Sequence, residues 1–363
     1  MSSAPVSDSK ASIRKWEGSF KSLFLHGRWV ETPTGTIIAG WCGASLQFII
    51  KGATKLQFKF GAATEKKDRS SRGSMFAVLL REVNTDSAIG WTEAFNGEAD
   101  AFSPEIELEV ESEYDVEFML IDWASLIELE GIWIDQGDIS APPPKSQYDV
   151  LFIGDSMPCG FVEDGSDLGL IPHGCLNGYA FCARQALRDA GTTINVELVA
   201  CPAITLVDLV QEDNTLVGMQ NRFFQVTPWD STPYTPSGSP QVAVLALGIN
   251  DEFQGVTPDT FFKQQRDFIA KLLEIYPSLK HVWLIVPIRD EGAPDLVAYR
   301  NKMDSGEVEW PTSVPSVDFK VIDLDGDAKI STLDGLHPSV EGHLLLGEKL
   351  AQLLREHGPT SGR

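Results

Sequence analysis

Three consecutive prolines, within Ala141-Pro142-Pro143-Pro144-Lys145, divide the sequence into two parts with different hydrophobic patterns. Proline lacks a backbone N–H and has a restricted φ, so this run can continue neither a helix nor a central strand, and it holds the chain extended. A length of 363 residues also exceeds that of one typical domain. The sequence therefore predicts two domains joined by a linker at residues 141–147.

Alternating apolar and polar residues dominate the part of the chain before the prolines. Leu56, Phe58 and Phe60 are separated by polar residues, and the same alternation recurs at residues 106–110 and 114–118. A period of two puts one face of a strand in a core and the other in water, as is typical of antiparallel sheets. We therefore expect a polar leader at residues 1–18 and an all-β, jelly-roll-like sandwich of about eight strands at residues 19–140.

The part after the prolines alternates short apolar runs with amphipathic stretches. Strands are expected around residues 148–154, 194–199, 242–247, 281–286 and 319–322, and helices around residues 178–190, 258–276 and 339–357. Such a rhythm is typical of a parallel sheet with helices on both faces. The sequence therefore predicts a doubly wound α/β domain at residues 148–358, followed by a tail at residues 359–363.

The first apolar run of this second part ends abruptly in Gly154-Asp155-Ser156. A buried parallel strand ends at the carboxyl edge of its sheet, which is where open α/β folds bind their ligands. A serine delivered to that edge is well placed to react with a bound substrate. Ser156 is therefore our candidate nucleophile.

A base and an acid that could serve Ser156 occur near the other end of the chain. A serine hydroxyl is a weak nucleophile unless a base takes its proton and an acid orients that base. Asp334 and His337 lie three residues apart, just before a predicted helix. Between them and Ser156, the apolar run at residues 242–247 leads to Asn250, whose side-chain amide could donate to a developing oxyanion.

These stretches resemble a known family. Residues 154–156 (Gly-Asp-Ser), 248–251 (Gly-Ile-Asn-Asp) and 334–337 (Asp-Gly-Leu-His) resemble, in this order, blocks one, three and five of the SGNH (GDSL) hydrolases. Block two is normally Gly-x-Thr, and Ala203-Ile204-Thr205 is its best match. Any need for a positive φ at position 203 would strain the alanine that replaces the glycine.

The resemblance implies both a fold and a mechanism. It implies a flavodoxin-like catalytic domain in which Ser156, His337 and Asp334 form a triad that works through an acyl-enzyme intermediate. The oxyanion hole would consist of the N–H groups of Ser156 and Ala203 and the side chain of Asn250. It implies neither a cofactor nor a metal ion.

The order of the two domains resembles carbohydrate esterase family two, whose members remove acetyl groups from xylan and glucomannan. The likeness rests on Gly27-Arg28-Trp29 and on the segments 40–45, 131–135 and 154–161. It implies a serine esterase for short-chain, acetyl esters of a carbohydrate. An esterase or an acyltransferase acting on an acylated small molecule would use the same triad, and a non-catalytic carbohydrate-binding protein is a further alternative.

Three residues are candidates for contacts with the substrate: Asp155, Trp229 and Arg289. Asp155 is expected mainly to serve the turn after the first strand, and Asp251 to cap the segment that follows it. Arg289 is expected to pair with an acid rather than with a substrate carboxylate. Trp229 lies in the proline-rich segment 211–240, which either lines the substrate site or is an idle surface loop.

The other tryptophans and histidines are expected to be structural. The tryptophans before the prolines could stack on sugar rings, but most lie in strand patterns where packing in the core is the better interpretation. These are Trp29, Trp41, Trp91, Trp123 and Trp133. The histidines His173, His281 and His343 have no acid at a telling spacing. The loop at residues 323–327 carries three aspartates but lacks the later glutamate of an EF-hand.

The sequence has 29 Lys plus Arg against 52 Asp plus Glu, a formal net charge of -23. Such a field repels nucleic acids and anionic membrane surfaces and favours neutral or cationic substrates. Its simplest role is solubility, with steering of substrates as the alternative. The expected partner is therefore an acylated carbohydrate or a small-molecule ester, and the sequence does not predict an oligomeric state.

The cysteines and the first residues bear on the compartment. The five cysteines form no CxxC pair, so they favour buried free thiols, although a bridge between Cys159 and Cys175 is conceivable. The polar start of the sequence lacks the apolar core of a signal peptide. We therefore expect a cytoplasmic protein as written, or a secreted one if a leader has been removed.

Overall fold

The structure is a computed structural model that describes residues 13–68, 73–83, 92–143, 146–163, 169–211, 214–289, 297–311, 316–326 and 329–359. Within these residues the chain forms an antiparallel β-sandwich followed by a parallel α/β domain, as predicted. Among the described helices, none has an apolar stretch long enough to cross a bilayer.

The sandwich consists of two antiparallel sheets. Its strands are β1 Arg14–Lys15, β2 Phe24–His26, β3 Val30–Glu31, β4 Ile37–Ala39, β5 Ser45–Lys51, β6 Lys55–Phe60, β7 Glu65–Lys66, β8 Ser74–Glu82, β9 Thr92–Gly97, β10 Ile106–Glu107, β11 Glu113–Leu120, β12 Ser125–Ile134 and β13 Asp138–Ser140. One sheet has the order β10-β6-β12-β4-β3, with β1 and β7 also paired to β12; the other has the order β13-β5-β11-β8-β9, with β2 also paired to β5. Apolar side chains from both sheets, among them Phe58 and Phe118, meet in a common core.

The prediction of about eight strands is too low, because the described part of the sandwich has thirteen. Seven of them contain only two or three residues, too few to show an alternation in sequence. The alternation at residues 55–60 is confirmed, since every second residue of β6 is buried. The one at residues 106–110 holds as far as Leu108, since Ile106 and Leu108 are buried, but β10 ends at Glu107 and Val110 is exposed.

The boundaries of the predicted leader and linker need one correction. Arg14 and Lys15 pair with strand β12, and Trp16 N donates to Ile132 O over 2.8 Å. The sandwich therefore begins inside the predicted leader rather than after Gly18. At the other end, the chain between β13 and residue 148 runs through Pro142 and Pro143, while Pro144 and Lys145 lie outside the described residues.

The second domain is built on a five-stranded parallel sheet. Its strands are β14 Tyr148–Gly154, β15 Ile194–Ala200, β18 Val242–Ala246, β19 His281–Ile285 and β20 Asp318–Ile322, and a small hairpin of β16 Leu209–Gln211 and β17 Asn214–Leu216 lies between β15 and β18. The sheet order is β15-β14-β18-β19-β20 with every pairing parallel. This is the flavodoxin-like order, in which the first strand lies inside the sheet.

Six helices accompany the sheet within the described residues: α1 Tyr179–Asp189, α2 Met219–Arg222, α3 Ile249–Phe253, α4 Pro258–Ile275, α5 Ala298–Asp304 and α6 Val340–His357. Strand β14 is buried on both faces. Val150 and Phe152 pack in the core that contains α1 and α6, whereas Leu151 and Ile153 pack in the core that contains α4. The doubly wound arrangement is therefore as predicted.

The two domains share buried surface. Met119 and Ile121 from the sandwich belong to the same hydrophobic core as Phe152 and Leu350 of the α/β domain. The sandwich residue Arg28 is fully buried; its guanidinium donates to Phe223 O and lies 3.2 Å from the Glu197 carboxylate. Because residue 223 belongs to the 211–240 segment, that segment packs against the sandwich and is not an idle loop.

Candidate active site

Ser156 lies at the carboxyl edge of the parallel sheet, two residues after β14 ends. The turn is tight: a Cβ at Gly154 would lie 2.5 Å from Pro158 Cγ, so glycine is required there. The register aligns Gly154 with Ala200 of β15 on one side and Ala246 of β18 on the other. The segments that follow these two strands therefore flank Ser156.

His337 connects Ser156 to Asp334. Its Nε2 is 2.9 Å from Ser156 Oγ, and its Nδ1 is 2.7 Å from Asp334 Oδ2. The loop that carries both residues leads into α6, which Ser339 caps by accepting from Gly342 N. Ser156 and His337 are both buried, so their hydrogen bond is shielded from bulk water.

The Asp334 carboxylate is held in its ionised form. It accepts hydrogen bonds from the backbone N–H groups of Glu163 (2.8 Å), Leu336 (3.1 Å) and His337 (2.7 Å). Burial alone would raise the pKa of Asp334, but these bonds and the one from the His337 ring lower it to about 2. An ionised Asp334 can only accept at His337 Nδ1, which leaves Nε2 as the acceptor for the Ser156 hydroxyl.

The predicted oxyanion residues lie in the segments after β15 and β18. Ala203 has a φ of 58°, so the alanine occupies the left-handed conformation that its glycine counterpart would adopt without strain. The Asn250 side chain is half-buried, and its Nδ2 donates to Ile204 O over 3.0 Å. Since an amide nitrogen carries two hydrogens, Asn250 keeps one N–H for another acceptor.

The contacts of Asp155 give no support to its selection as a substrate-binding residue. Its side chain is buried and accepts from Met157 N over 3.1 Å, so it serves the turn after β14. Burial, with a further contribution from the charge of Asp251, raises the pKa of Asp155 to about 7.

The prediction that Asp251 caps the following segment is wrong. Asp251 lies inside α3, which begins at Ile249, and its carboxylate is fully buried. It accepts from Leu206 N at 2.8 Å and from Val207 N at 3.2 Å. Asp251 therefore binds the turn that carries Ala203 rather than its own helix.

Arg289 pairs with an acid, as its preferred interpretation predicted. One guanidinium nitrogen lies 3.8 Å from Asp325 and also donates to Gly326 O. These contacts occupy the side chain at the loop after β20. They give no support to its selection as a substrate-binding residue.

A row of three aromatic rings begins beside His337 and includes two residues, Phe161 and Trp123, that the sequence did not single out as site residues. The Phe161 ring is 5.0 Å from the His337 ring, Trp123 is 5.8 Å from Phe161, and Trp229 is 5.7 Å from Trp123, measured between ring centroids. We call these three residues the aromatic row. All three are half-buried, and each domain contributes, since Trp123 belongs to the sandwich.

Trp123 could have been singled out by its position. It follows β11 in the short turn before β12. Trp41 is fully buried, as the core interpretation predicts, whereas Trp133 in β12 is half-buried and packs against the exposed Phe102 instead of in the core. Only the tertiary structure shows that this turn faces the second domain. Trp91 lies outside the described residues.

The remaining histidines have structural contacts. The buried His343 accepts from Tyr179 N over 3.2 Å and stacks on the Tyr179 ring. Burial, and then the charge of His337, lower the pKa of His343 to about 3. His281 does have an acid beside it, Asp318 at 3.2 Å, but both residues start their strands and so lie at the opposite edge of the sheet from Ser156.

The cysteines form no disulfide, and the aspartates at residues 323–325 bind an arginine. All five cysteines are free, so Cys159 and Cys175 are not bridged; Cys42 Sγ lies 3.6 Å from Cys159 Sγ. Asp323 and Asp325 bind the Arg300 guanidinium at 3.0 and 2.5 Å, and Asp327 lies outside the described residues. No group of three or more potential metal ligands occurs among the residues described.

Comparisons with known proteins identify a family and a fold. The family described as GDSL-like lipase/acylhydrolase matches residues 152–345. No curated protein matches the sequence.

Several solved structures share the two-domain fold. A family two carbohydrate esterase from Cellvibrio japonicus has a TM-score of 0.70 at 18% identity, with 95% of this chain and 98% of that chain covered. A family two carbohydrate esterase from Clostridium thermocellum, in complex with cellohexaose, has a TM-score of 0.67 at 18% identity, with coverages of 92% and 99%. A salicylyl-acyltransferase from a tetracycline biosynthetic pathway has a TM-score of 0.65 at 13% identity, with coverages of 98% and 100%.

Proposed function

Because this chain belongs to the GDSL-like lipase/acylhydrolase family and is therefore a carboxylic ester hydrolase, we propose that Ser156, His337 and Asp334 are its catalytic triad. The observation that carries the proposal is the continuous hydrogen-bonded path from Ser156 Oγ through the His337 ring to Asp334. A nucleophile, a base in contact with it and an acid that orients the base are the parts that acyl transfer requires.

The reaction then follows from the protonation states. His337 Nε2 takes the Ser156 proton as Oγ attacks the acyl carbon, and Asp334 stabilises the imidazolium that forms. The N–H groups of Ser156 and Ala203 and the Asn250 side chain bind the negative oxygen of the tetrahedral intermediate. His337 gives its proton to the leaving alcohol, and water attacks the acyl-enzyme by the same path to release the acid.

We propose that the substrate is a short-chain ester, an acetyl group on a carbohydrate. The aromatic row supports this proposal, because rings of half-buried tryptophans bind the apolar faces of sugars by stacking. The similar structures include two family two carbohydrate esterases, one of them holding cellohexaose. The net charge of -23 also favours a neutral substrate over an anionic one.

The proposal is tested with p-nitrophenyl esters from acetate to decanoate, using the wild-type protein and Ser156→Ala. We expect activity that is highest on acetate and absent from the variant. Release of acetate from acetylated xylan or glucomannan oligosaccharides then tests the carbohydrate. Equal activity of the variant would contradict the triad, and a long-chain optimum would contradict the acetyl assignment.

Acyl transfer is the second candidate function. It is favoured by the solved salicylyl-acyltransferase, whose fold matches 98% of this chain and 100% of its own. It would use the same acyl-enzyme but pass the acyl group to an alcohol instead of water. Adding an alcohol or sugar acceptor to the acetate assay distinguishes the two. A new ester formed at the expense of free acetate would indicate transfer.

The non-catalytic binding protein is the remaining alternative. It would be indicated by a protein that is inactive on every ester and whose Ser156 does not react with an organophosphorus reagent.

A further inference from the structure

We propose that Asp251 is a positioning residue for the oxyanion hole. In this inference, which rests on the proposed function, the buried carboxylate holds the turn at residues 203–207 so that Ala203 keeps the strained backbone conformation in which its N–H serves the oxyanion. Asp251 would not touch the substrate. It would act through the turn that it binds.

The first observation is the conformation of Ala203. Three described residues other than glycine have a positive φ: Asp100, His173 and Ala203. Aspartate and histidine are several-fold enriched in this region, but alanine has no polar side chain to stabilise it. Ala203 is also exposed, so packing around its side chain does not force the conformation. Contacts of the backbone on either side of it must do so.

The second observation is how that backbone is held. Asp251 Oδ2 accepts from Leu206 N at 2.8 Å, while Oδ1 accepts from Leu206 N at 3.0 Å and from Val207 N at 3.2 Å. The preceding residue, Asn250, donates to Ile204 O at 3.0 Å. Two consecutive residues of α3 therefore hold the same turn, one as acceptor and one as donor.

The third observation is that the Asp251 carboxylate is buried without a cationic partner in the described part of the chain. Its side chain is fully buried. Burial raises the pKa of Asp251 to about 6, and the groups that oppose this are backbone N–H groups rather than a cation. Burying a carboxylate without a cationic partner costs desolvation free energy, and hydrogen bonds to its oxygens must offset that cost. Apart from its own backbone N–H, the described donors to this carboxylate are Leu206 N and Val207 N, both in the turn that carries Ala203.

The inference predicts that loss of the Asp251 carboxylate lowers kcat and that glycine at position 203 restores part of it. Without the carboxylate, the turn is free to relax to a negative φ at position 203, and the Ala203 N–H leaves the oxyanion position. Glycine at this position tolerates a positive φ, so it removes the tendency to relax. Loss of one oxyanion donor typically lowers turnover by about 10²–10³-fold.

The experiment compares Asp251→Ala, Ala203→Gly and the double variant in steady-state hydrolysis of p-nitrophenyl acetate. We expect Asp251→Ala to lower kcat by about 10²-fold or more with KM within about twofold of wild type, because the donor acts on the transition state. We expect removal of the Asp251 carboxylate to cost at least about tenfold less in kcat when it is made in the Ala203→Gly protein, compared with Ala203→Gly alone, than when it is made in the wild type. Asp251→Asn, which keeps one acceptor oxygen, should retain most of kcat, and a loss as large as that of Asp251→Ala would contradict the inference. If Asp251→Ala fails to fold, Asp251→Ser, whose shorter side chain does not reach the turn, takes its place and should lose kcat to a similar degree.

Glu252→Gln is the matched control. Glu252 is the next acid of α3, but its carboxylate accepts from Ala298 N at 2.7 Å instead of binding the turn, and we expect unchanged kinetics. The inference is overturned if Asp251→Ala keeps wild-type kcat, or if Ala203→Gly gives no recovery in a folded double variant. A wild-type protein without any esterase activity would overturn the proposed function as well, whereas an active wild type with inactive Ser156→Ala and fully active Asp251→Ala would overturn this inference alone.

Discussion

Glu117 of strand β11 and Arg184 of helix α1 form a buried two-point ion pair across the two domains, with nitrogen-oxygen distances of 2.7 and 3.2 Å. Burial by itself would raise the pKa of Glu117, but the guanidinium groups of Arg184 and Arg81 hold it well below its usual range. The side chain of Glu117 has no exposed surface. The pair therefore ties the outer face of the sandwich to the α/β domain.

Glu117→Gln should destabilise the protein by about 3–5 kcal/mol, because it leaves the Arg184 charge buried without its partner. Urea unfolding measures the change. Glu309→Gln breaks the exposed pair with Arg266 and should cost only about 0–1 kcal/mol. Equal effects of the two substitutions would contradict a role for the buried pair.

His343 should make the protein less stable as the pH falls. Its pKa is about 3 in the folded protein and about 6.5 in the unfolded chain, so the unfolded state binds more protons between these values. The stability from neutral His343 is complete above pH 6.5 and is lost progressively toward pH 3, by up to about 1.4 kcal/mol per pH unit. Urea unfolding at pH 8, 6 and 4 should show a smaller loss for His343→Gln than for wild type. Parallel curves would refute this.

Asp155 should have the opposite dependence. Burial and Asp251 raise its folded pKa to about 7, above the value of about 3.9 in the unfolded chain, so folding disfavours the charged form. Stability from this group is complete below pH 4 and declines as the pH rises to about 7. Asp155→Asn does not titrate and can still accept from Met157 N, so we expect it to gain stability relative to wild type as the pH rises from 4.5 to 8. A constant difference would disprove the shift.

Asp334→Asn should lower kcat by about 10²–10⁴-fold on p-nitrophenyl acetate. An asparagine amide can donate to His337 Nδ1, which would put the ring proton on Nε2 and remove the acceptor for the Ser156 hydroxyl. The effect on stability should be modest near pH 7, because the oxygen can still accept backbone N–H groups. Asp318→Asn, beside His281 at the opposite edge of the sheet, is the control that should keep wild-type kcat.

Trp123→Ala should affect sugar substrates selectively. We expect about a tenfold lower kcat/KM on acetylated oligosaccharides, since an aromatic contact contributes about 0.5–1.5 kcal/mol, and little change on p-nitrophenyl acetate. Trp133→Ala, which removes a tryptophan packed against Phe102, is the matched control. Equal losses on both substrates would indicate that Trp123 supports the structure rather than the sugar.

Hydrophobic pattern and residue order, together with the resemblance to the SGNH hydrolases, predicted the fold class and the residues that meet at the sheet edge. A parallel strand ends where its apolar run ends, so Ser156 and Asn250 are assigned to one edge by local sequence. His337 and Asp334 come close together because only three residues separate them. The sequence also indicated where strain could arise, because Ala203 replaces the glycine of block two, and glycine adopts a positive φ more readily than alanine does.

The tertiary structure decided what depends on contacts between distant segments. The partners of Asp251 lie 44 and 45 residues away. Arg184, which pairs with Glu117, and the two rings beside Trp123 lie in the other domain. The two- and three-residue strands form only because a neighbour offers them hydrogen bonds. Local periodicity reports which face of a segment is buried, but not which segment covers it. For that physical reason, the sequence determined the sheet and its reactive edge, and only the packing of the two domains decided what surrounds that edge.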